Sequence, residues 1–307
     1  MSKLEKYATL IFLVVALLVR FPFDYFFFDI VQSFAVQIAV LYLVVAVLVS
    51  LWKKWWWALS SVASSLIVAT LFGHWLWQSY PTVSPQATTF KVAHFNVWRK
   101  TTQYQEVIQV AQNTQADVIS FQEINQRWWT ALKASLAPTY PYSHVVTRED
   151  NFGIVLLSKY PLENTEVKYF SDVPSIATTL KAPFGDIHWI SAHVYPPKNA
   201  EWYDKRNADL KNMAAYLATK KGYKLALGDY NTVSWTPILR QFKKMAGLQD
   251  ARRKWSPSWP TYNWWLGIPI DHIFHSPNLK CIQFDTTPQT TSDHLGVIGT
   301  FSPTKLN

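Results

Sequence analysis

After residue 90 the chain repeats one pattern, in which a short apolar run ends on polar side chains and is followed by a stretch with helical spacing. Short apolar runs favour buried strands, and apolar residues three or four apart favour amphipathic helices. The pattern predicts strands at 90–97, 117–121, 153–158, 176–180, 187–193, 223–227, 270–275 and 297–301. It predicts helices at 103–113, 125–136, 200–219 and 237–245. Strands that alternate with helices indicate an α/β domain, and two sheets packed face to face with helices outside would satisfy this pattern.

The first eighty residues differ, because long apolar stretches there carry little charge. A span of about 20 apolar residues crosses the hydrocarbon core of a bilayer. We therefore expect residues 1–80 to form a membrane region with three transmembrane helices, at about 4–20, 30–52 and 57–77. The first segment is short, so a signal-peptide core or a re-entrant helix remains open for it. Residues 81–89 are predicted to be a linker, and residues 90–307 the folded domain.

The distribution of lysines predicts the orientation of this region. Lys3 and Lys6 precede the first segment, and Lys53 and Lys54 lie between the second and the third. Positively charged loops stay in the cytoplasm, so three crossings would place the domain outside it, as in a multi-pass membrane protein with an extracytoplasmic domain. If the first segment does not span the membrane, only two crossings remain and the domain would lie in the cytoplasm. The lipid bilayer is the expected partner, and no obligate protein partner is evident.

Composition narrows the chemistry. The chain has 307 residues and a formal net charge of +9, most of it after residue 80. Such a basic domain suits a polyanionic partner or an anionic membrane, although many soluble domains are equally basic. The single cysteine, Cys281, excludes an intrachain disulfide and a cysteine-based metal site.

Several of the predicted strands end on residues that carry chemistry. Asp229 and Asn231 follow the run 223–227, and on an extended backbone residues i and i+2 point the same way. Other polar positions of this kind are Asn96, Glu123, His193, Asp271, Asp293 and His294. Polar residues at strand ends converge readily at one edge of a sheet, where rigid scaffolds support functional sites.

The order of these motifs resembles that of the endonuclease/exonuclease/phosphatase superfamily. The motifs are HFNVW, SFQEIN, SAHVYPP, GDYN, PIDHIF and SDHLGV, and they lie between about residues 90 and 301. Each motif alone is nonspecific, whereas six in the correct order are a strong signal. The resemblance implies a four-layer α/β sandwich of two packed mixed sheets flanked by helices. It also implies a phosphodiester hydrolase that depends on Mg²⁺ or Mn²⁺, with nucleic acid or a phospholipid headgroup as substrate.

The resemblance assigns a metal-binding group and a catalytic group. Glu123 would bind the ion, with Asn96 and Asp293 in or beside the coordination sphere, because hard cations prefer oxygen ligands. Asp229 would act as general base toward the attacking water.

The remaining assigned side chains would surround the phosphate. Asn231 would form a hydrogen bond with a phosphoryl oxygen or with the attacking water, and His193 would donate to a non-bridging oxygen. His294 would act as acid or as phosphate clamp, with Asp271 fixing its tautomer.

Four more residues are candidates for substrate contact: Arg148, Asn151, Trp259 and Trp264. The two tryptophans belong to the aromatic segment 255–265, whose rings could stack on bases or lie in a headgroup layer. A solvated loop for the first pair and a packed lid for the second are the alternatives. Two other functions also remain open at this point. One is a phosphomonoesterase of the same fold acting on inositol phosphates or phosphoinositides, and the other is a non-catalytic binding protein.

Overall fold

In a computed structural model, the chain is described over residues 3–73, 75 and 78–304. It divides into two compact units. One consists of Met1–Gln78 with Trp235–Pro237, and the other of Ser79–Ser234 with Ile238–Asn307.

The first unit is helical. Its helices are α1 (Lys3–Arg20), α2 (Phe26–Ser33), α3 (Ala35–Leu51) and α4 (Trp55–Ala69). The amide of Gln32 in α2 donates to the carbonyl oxygens of Val19 and Phe21, at 3.0 and 2.9 Å. These bonds satisfy carbonyl groups that the end of α1 would otherwise leave unpaired.

The three predicted transmembrane helices are not found in that form. Within the described residues, no single helix is both long and apolar enough to cross a membrane. The predicted span 30–52 is broken, since α2 and α3 are long and apolar enough to cross a membrane only as a pair, and this pair bends by 62°. The predicted span 57–77 is an α-helix only as far as Ala69, and residues 74, 76 and 77 lie outside the described residues.

The second unit contains two mixed six-stranded sheets. The first sheet has the order β11-β12-β1-β2-β4-β3. Its strands are β1 (Phe90–Asn96), β2 (Val118–Gln122), β3 (Tyr142–Val146), β4 (Ile154–Ser158), β11 (Leu279–Thr286) and β12 (Val297–Pro303). Only β1 and β2 are parallel neighbours in this sheet, with Asn96 opposite Gln122.

The second sheet has the order β5-β6-β7-β8-β10-β9. Its strands are β5 (Leu162–Tyr169), β6 (Pro174–Ala182), β7 (Gly185–Ala192), β8 (Tyr223–Asp229), β9 (Gln249–Asp250) and β10 (Asp271–His275). Strands β7 and β8 are parallel, whereas β10 runs antiparallel to β8 and sets Asp271 opposite Asp229.

Helices cover the outer faces of both sheets. They are α5 (Tyr104–Asn113), α6 (Gln126–Leu136), α7 (Ala200–Ala218) and α8 (Pro237–Ala246). The apolar faces of α5 and α6 pack on the first sheet, and those of α7 and α8 pack on the second. The core between the sheets joins residues such as Val118 and Leu156 to Trp189 and Leu225. The layers therefore run helix, sheet, sheet, helix, as expected from the sequence.

The pattern of apolar runs did not predict β3, β5, β9 and β11. Strands β3 and β5 carry mostly half-buried or exposed residues, and both lie at the edge of a sheet. Strand β9 has only two residues. An edge strand buries too little surface to produce a continuous apolar run, so hydrophobic periodicity misses it.

Gly228 allows the two sheets to approach each other at the end of β8. Its φ of 145° lies outside the range that other residues adopt readily. A Cβ at this position would overlap the carbonyl oxygen of Ala192 and come within 2.5 Å of the Gln122 amide nitrogen. Only glycine fits at this crossing.

We expect Gly228→Ala to lower the free energy of unfolding by about 3 kcal/mol or more, because backbone strain and overlap act together. Gly222→Ala is the matched control, since Gly222 has a φ of 86° but no atom within 4 Å of an added Cβ. Its cost should be about 1 kcal/mol. Urea denaturation of the purified chain measures both changes in the free energy of unfolding. Equal losses for Gly228→Ala and Gly222→Ala would show that position 228 tolerates a side chain.

Candidate functional site

The candidate residues lie at one edge of the sandwich, where strands of both sheets end. Asn96 ends β1, and Glu123 directly follows β2. In the second sheet, His193 directly follows β7 and Asp229 ends β8. Asp271 begins β10 and pairs with Asp229 across the antiparallel ladder. The structure therefore brings together residues that are distant in the sequence, such as Asn96 and His294, which lie 198 positions apart.

Unusual backbone conformations accompany two of these positions. Glu123 has a φ of 64° and Asn231 a φ of 48°. Such values are uncommon for residues other than glycine, and they often accompany functional sites. The conformation of Asn231 also corrects the sequence interpretation, since Asp229 and Asn231 do not share an extended backbone. Instead Asp229 Oδ1 accepts a hydrogen bond of 2.9 Å from the backbone nitrogen of Asn231.

Asn96 lies between two buried carboxylates. Its Nδ2 is 3.4 Å from Glu123 Oε1 and 3.3 Å from Asp229 Oδ2. Its Oδ1 accepts from the backbone nitrogen of Trp98 at 3.1 Å, which fixes which way the amide faces. Glu123 Oε2 in turn accepts from the backbone nitrogen of Arg99 at 3.0 Å. One neutral amide thus separates two acidic groups that would otherwise repel each other.

Asp271 holds the imidazole of His294. Asp271 Oδ2 lies 2.8 Å from His294 Nδ1, and the far nitrogen of the ring, Nε2, lies 3.8 Å from Asp229 Oδ2. The other oxygen of Asp271 lies 3.1 Å from Nε2 of His94. The structure therefore contains the contact between Asp271 and a ring nitrogen of His294.

Burial and mutual charge set the protonation of these groups. Burial raises the pKa of Asp229, and the charge of Asp271 raises it further. Burial also raises the pKa of Glu123. Burial alone would lower the pKa of His294, but the charge of Asp271 and its hydrogen bond raise that pKa well above the usual range. Burial would raise the pKa of Asp271, yet His294 holds it below its ordinary value. The His294 ring is therefore positively charged at neutral pH.

His193 is the neutral imidazole of the site. Its Nε2 lies 3.6 Å from Asp229 Oδ2, and its ring packs against Phe152 with centroids 5.1 Å apart. Burial, followed by the charge of His294, lowers the pKa of His193 to about 3. Two imidazoles that both face Asp229 thus carry different charges at neutral pH.

The donor atoms of the site suit a hard divalent cation. Asp229, Asp271 and His294 each offer a ligand atom, and these atoms lie within 4.8 Å of one another. Glu123 adds a buried carboxylate beside Asn96. Buried carboxylates with raised pKa values gain from a nearby cation, and carboxylate oxygens are the ligands that Mg²⁺ and Mn²⁺ prefer.

Three of the four residues predicted to contact substrate have polar partners of their own. Arg148 forms an ion pair with Asp150, and the exposed Asn151 accepts from Arg99 Nε at 3.4 Å. Trp259 is half-buried and donates from Nε1 to Asp293 Oδ2 at 3.2 Å.

The aromatic segment 255–265 is split between buried and exposed residues. Trp264 is 69% exposed, and its ring stacks on Trp265 with centroids 4.0 Å apart. The exposed pair shows that the segment is not wholly a packed lid.

Two residues of the site were missed by sequence reasoning. Gln122 donates from Nε2 to Ala192 O at 2.7 Å and accepts from the backbone nitrogen of Asp229 at 2.9 Å, so it joins the two sheets. His94 contacts Asp271 as described above. The position of His94 in the sequence could have identified it, because it lies two residues before Asn96 on the same strand and therefore faces the same way. Gln122 could be noticed only as a polar residue at the end of an apolar run.

Comparisons with known proteins agree with this geometry. The family model described as Endonuclease/Exonuclease/phosphatase family matches residues 93–294 of the chain. No curated protein sequence matches.

Solved structures share the fold at low identity. An endonuclease/exonuclease/phosphatase from Beutenbergia cavernae is 15% identical over 70% of this chain and 72% of that one, with a TM-score of 0.59. TDP2 from D. rerio is 15% identical over 70% of this chain and 99% of that one, with a TM-score of 0.60. Beta toxin from Staphylococcus aureus is 16% identical over 68% of this chain and 99% of that one, with a TM-score of 0.55.

The neutral state of His193 predicts a pH dependence of stability. The unfolded chain binds this proton near pH 6.5, whereas the folded chain binds it only near pH 3. Between these values the unfolded state holds the extra proton, so the free energy of unfolding falls as the pH drops from 6.5 toward 3. We expect His193→Gln to lack this part of the fall, which is at most about 1.4 kcal/mol per pH unit.

Urea denaturation in a chelator at several pH values between about 7 and 4 measures this difference in slope. The comparison variant is His188→Gln. Burial also lowers the pKa of the partly buried His188, so this substitution should change the slope in the same direction but less than His193→Gln. Identical slopes for the native chain and His193→Gln would contradict a buried neutral imidazole at this position.

Proposed function

Because the chain belongs to the endonuclease/exonuclease/phosphatase family, we propose that it is a divalent-metal-dependent phosphodiester hydrolase. The observation that carries this proposal is the convergence of Glu123, Asn96, Asp229 and the Asp271–His294 pair at one buried edge. Phosphodiesters resist hydrolysis because their negative charge repels the nucleophile. A site that combines carboxylates, a cation position and a positively charged imidazole offsets that repulsion.

Glu123 is our choice of principal ligand for Mg²⁺ or Mn²⁺, with Asp293 as a further carboxylate. Asn96 faces Glu123 and Asp229 with its Nδ2, so we propose that it orients these carboxylates beside the ion. Among the described residues, Glu123 Oε1 has only one hydrogen-bond contact, with Asn96 Nδ2 at 3.4 Å, which leaves this oxygen able to bind an ion. Asp271 is less suited, because imidazoles already occupy both of its oxygens. When bound, the ion would polarise the phosphoryl group and stabilise developing negative charge.

Asp229 is proposed to be the general base that orients and deprotonates the attacking water. Burial and the charge of Asp271 raise its pKa to about 8. Its ionised form, whose share grows as the pH rises through that value, is therefore a stronger base than an exposed carboxylate. Asn231 donates from Nδ2 to Val194 O at 2.8 Å, and the second hydrogen of that amide can bind a phosphoryl oxygen. His193 is neutral and can donate from one ring nitrogen without adding a second positive charge beside His294.

His294 is proposed to bind the phosphate as a cation. Asp271 accepts from Nδ1, so Nε2 faces the interior of the site, 3.5 Å from the Asn96 amide. A protonated ring there donates to a non-bridging oxygen or delivers its proton to the departing alkoxide.

Nucleic acid is the substrate class we favour. The structurally similar TDP2 from D. rerio was crystallised with a single-strand DNA product. In this chain the exposed pair Trp264 and Trp265 offers flat rings on which bases can stack. Arg148 and Asn151 could contact the phosphate backbone, and Trp259 would hold Asp293 in place. A phospholipid headgroup is the competing substrate for the same rings.

We also propose that the helical unit anchors the chain in a lipid bilayer. Its buried side chains include serines of α4, namely Ser60, Ser61, Ser64 and Ser65. Its exposed side chains on α3 are apolar, among them Leu41, Val44, Val47 and Leu48. A helical unit with small polar side chains in its interior and apolar side chains on its surface has the arrangement favoured in lipid. With the positions of the lysines, this supports a multi-pass protein with an extracytoplasmic catalytic domain.

The catalytic assignment is tested with purified full-length chain and Mg²⁺. We expect hydrolysis of bis-p-nitrophenyl phosphate to cease in a chelator and to return with Mg²⁺ or Mn²⁺. Asp229→Asn and His294→Ala should each lower kcat by at least about 100-fold, because each removes a group that transfers a proton or stabilises charge. His188→Gln, away from the site, is the control for folding and purity.

Parallel assays with single-stranded DNA, duplex DNA, sphingomyelin vesicles and inositol phosphates identify the substrate, with Asp229→Asn as the blank. Release of monophosphate from inositol phosphates alone would replace the diesterase proposal with a monoesterase. Unchanged turnover in both Asp229→Asn and His294→Ala would refute the assigned roles.

Membrane anchoring predicts that the full-length chain floats with neutral phosphatidylcholine vesicles and resists extraction by alkaline carbonate. Neutral vesicles exclude attraction to the basic domain. Val44→Asp and Leu48→Asp together should shift the chain to the soluble or aggregated fraction, since each aspartate costs about 2.5–3.5 kcal/mol at the centre of a spanning helix. Lys133→Asp on α6 is the control for added negative charge. Complete extraction of the native chain by carbonate would argue against the anchor.

A further inference from the structure

The carboxylate of Asp271 is held at both oxygens by imidazoles from different parts of the fold. His294 binds Oδ2 from the segment before β12, at 2.8 Å. His94 binds Oδ1 from β1 of the first sheet, at 3.1 Å, although Asp271 itself belongs to the second sheet. Both His94 and Asp271 are fully buried, so water does not compete for this bond.

The hydrogen bond fixes the tautomer of His94. An ionised carboxylate only accepts hydrogen bonds, so His94 must carry its proton on Nε2. Nδ1 of His94 is buried and has no hydrogen-bond partner among the described residues. The contact with Asp271 is therefore the polar interaction that orients this ring.

The backbone of Asp271 is anchored separately. Its nitrogen donates to Ser258 Oγ at 3.1 Å, and its carbonyl oxygen accepts from Arg252 Nη2 at 2.5 Å. These bonds fix the main chain but leave the side-chain torsion χ2 free, and that torsion is broad for aspartate. With a single hydrogen bond to His294, the carboxylate plane could still rotate about χ2. Two hydrogen bonds, one on each oxygen, fix the orientation of that plane.

We propose that His94 is a positioning residue for the hydrolysis, acting through Asp271 on His294. It holds the carboxylate so that Oδ2 stays in line with Nδ1 of His294, which in turn keeps Nε2 directed into the site. This inference rests on the proposed function for its kinetic consequence. The positioning itself concerns only His94, Asp271 and His294.

Two amide substitutions separate the hydrogen bond from mere packing. The amide nitrogen of Gln reaches the place of the histidine Nε2, whereas the shorter Asn reaches only the place of Nδ1. His94→Gln should therefore restore the donor to Asp271, and His94→Asn and His94→Leu should not. We expect kcat to fall about 10- to 100-fold in the Asn and Leu variants, the range typical of partners that orient a functional side chain. The Gln variant should keep at least about a third of native kcat, and KM should change less than about threefold throughout.

A spectroscopic readout tests the positioning without activity. In the metal-free full-length chain, the proton on His294 Nδ1 should give a strongly downfield NMR signal, assigned by its loss in His294→Ala. The signal should persist in His94→Gln and move upfield or broaden in His94→Asn. If the Leu variant does not fold, as judged by thermal melting, the Gln and Asn pair still decides.

The outcomes distinguish this inference from the proposed function. If the NMR signal responds as expected but the native chain hydrolyses no phosphoester, the positioning stands and the proposed function fails. Native kcat and an unchanged signal in His94→Asn would overturn the inference. So would equal losses in His94→Gln and His94→Asn, because the donor would then not be the feature that matters.

Discussion

The two halves of the site belong to different sheets, and polar side chains of the first sheet reach across to hold those of the second. Gln122 binds both the carbonyl of Ala192 and the backbone nitrogen of Asp229. Asn96 and His94 make the corresponding contacts with the side chains of Asp229 and Asp271. Buried polar groups are costly unless they are paired, so these bonds fix the sheets at one relative position. The geometry of the site is therefore a consequence of how the sandwich closes.

Close approach at this edge depends on backbone conformations that few residues tolerate. Gly228 leaves room for the Ala192 carbonyl and the Gln122 amide, which a Cβ would displace. Glu123 and Asn231 turn the chain sharply just beyond β2 and β8, with positive φ values. Strain of this kind persists only where the surrounding structure holds it in place. Here the hydrogen bonds from Arg99 to Glu123 and from Asn231 to Asp229 provide that restraint.

Within the site, side chains of the same type differ in protonation because their surroundings differ. His294 gains a proton from its contact with Asp271, while burial keeps His193 neutral. Asp271 stays ionised between two imidazoles, whereas Asp229 is a stronger base beside it. Separating the pKa values of neighbouring groups is how one site supplies both acid and base at neutral pH. Within the part of the chain that the structure describes, Glu123 forms no ion pair with a cationic side chain, and this explains why the edge suits a divalent ion.

The sequence alone determined the class of fold, the positions of most buried strands and helices, and the identity of many of the residues that meet at the site. Buried strands such as β2 and β8 were predictable because full burial requires continuous apolar runs. The family was predictable because Asn96, Glu123, His193, Asp229, Asp271 and His294 occur in a characteristic order.

Only the tertiary structure decided the edge strands, the bend between α2 and α3, and the contacts of His94 and Gln122. Edge strands bury little, so their sequences carry a weak pattern. A hydrogen bond between β1 and β10 joins residues 177 positions apart, and no local pattern encodes such a contact. Which imidazole is charged was likewise decided by packing, because protonation depends on burial and on neighbouring charges that only the folded chain brings together.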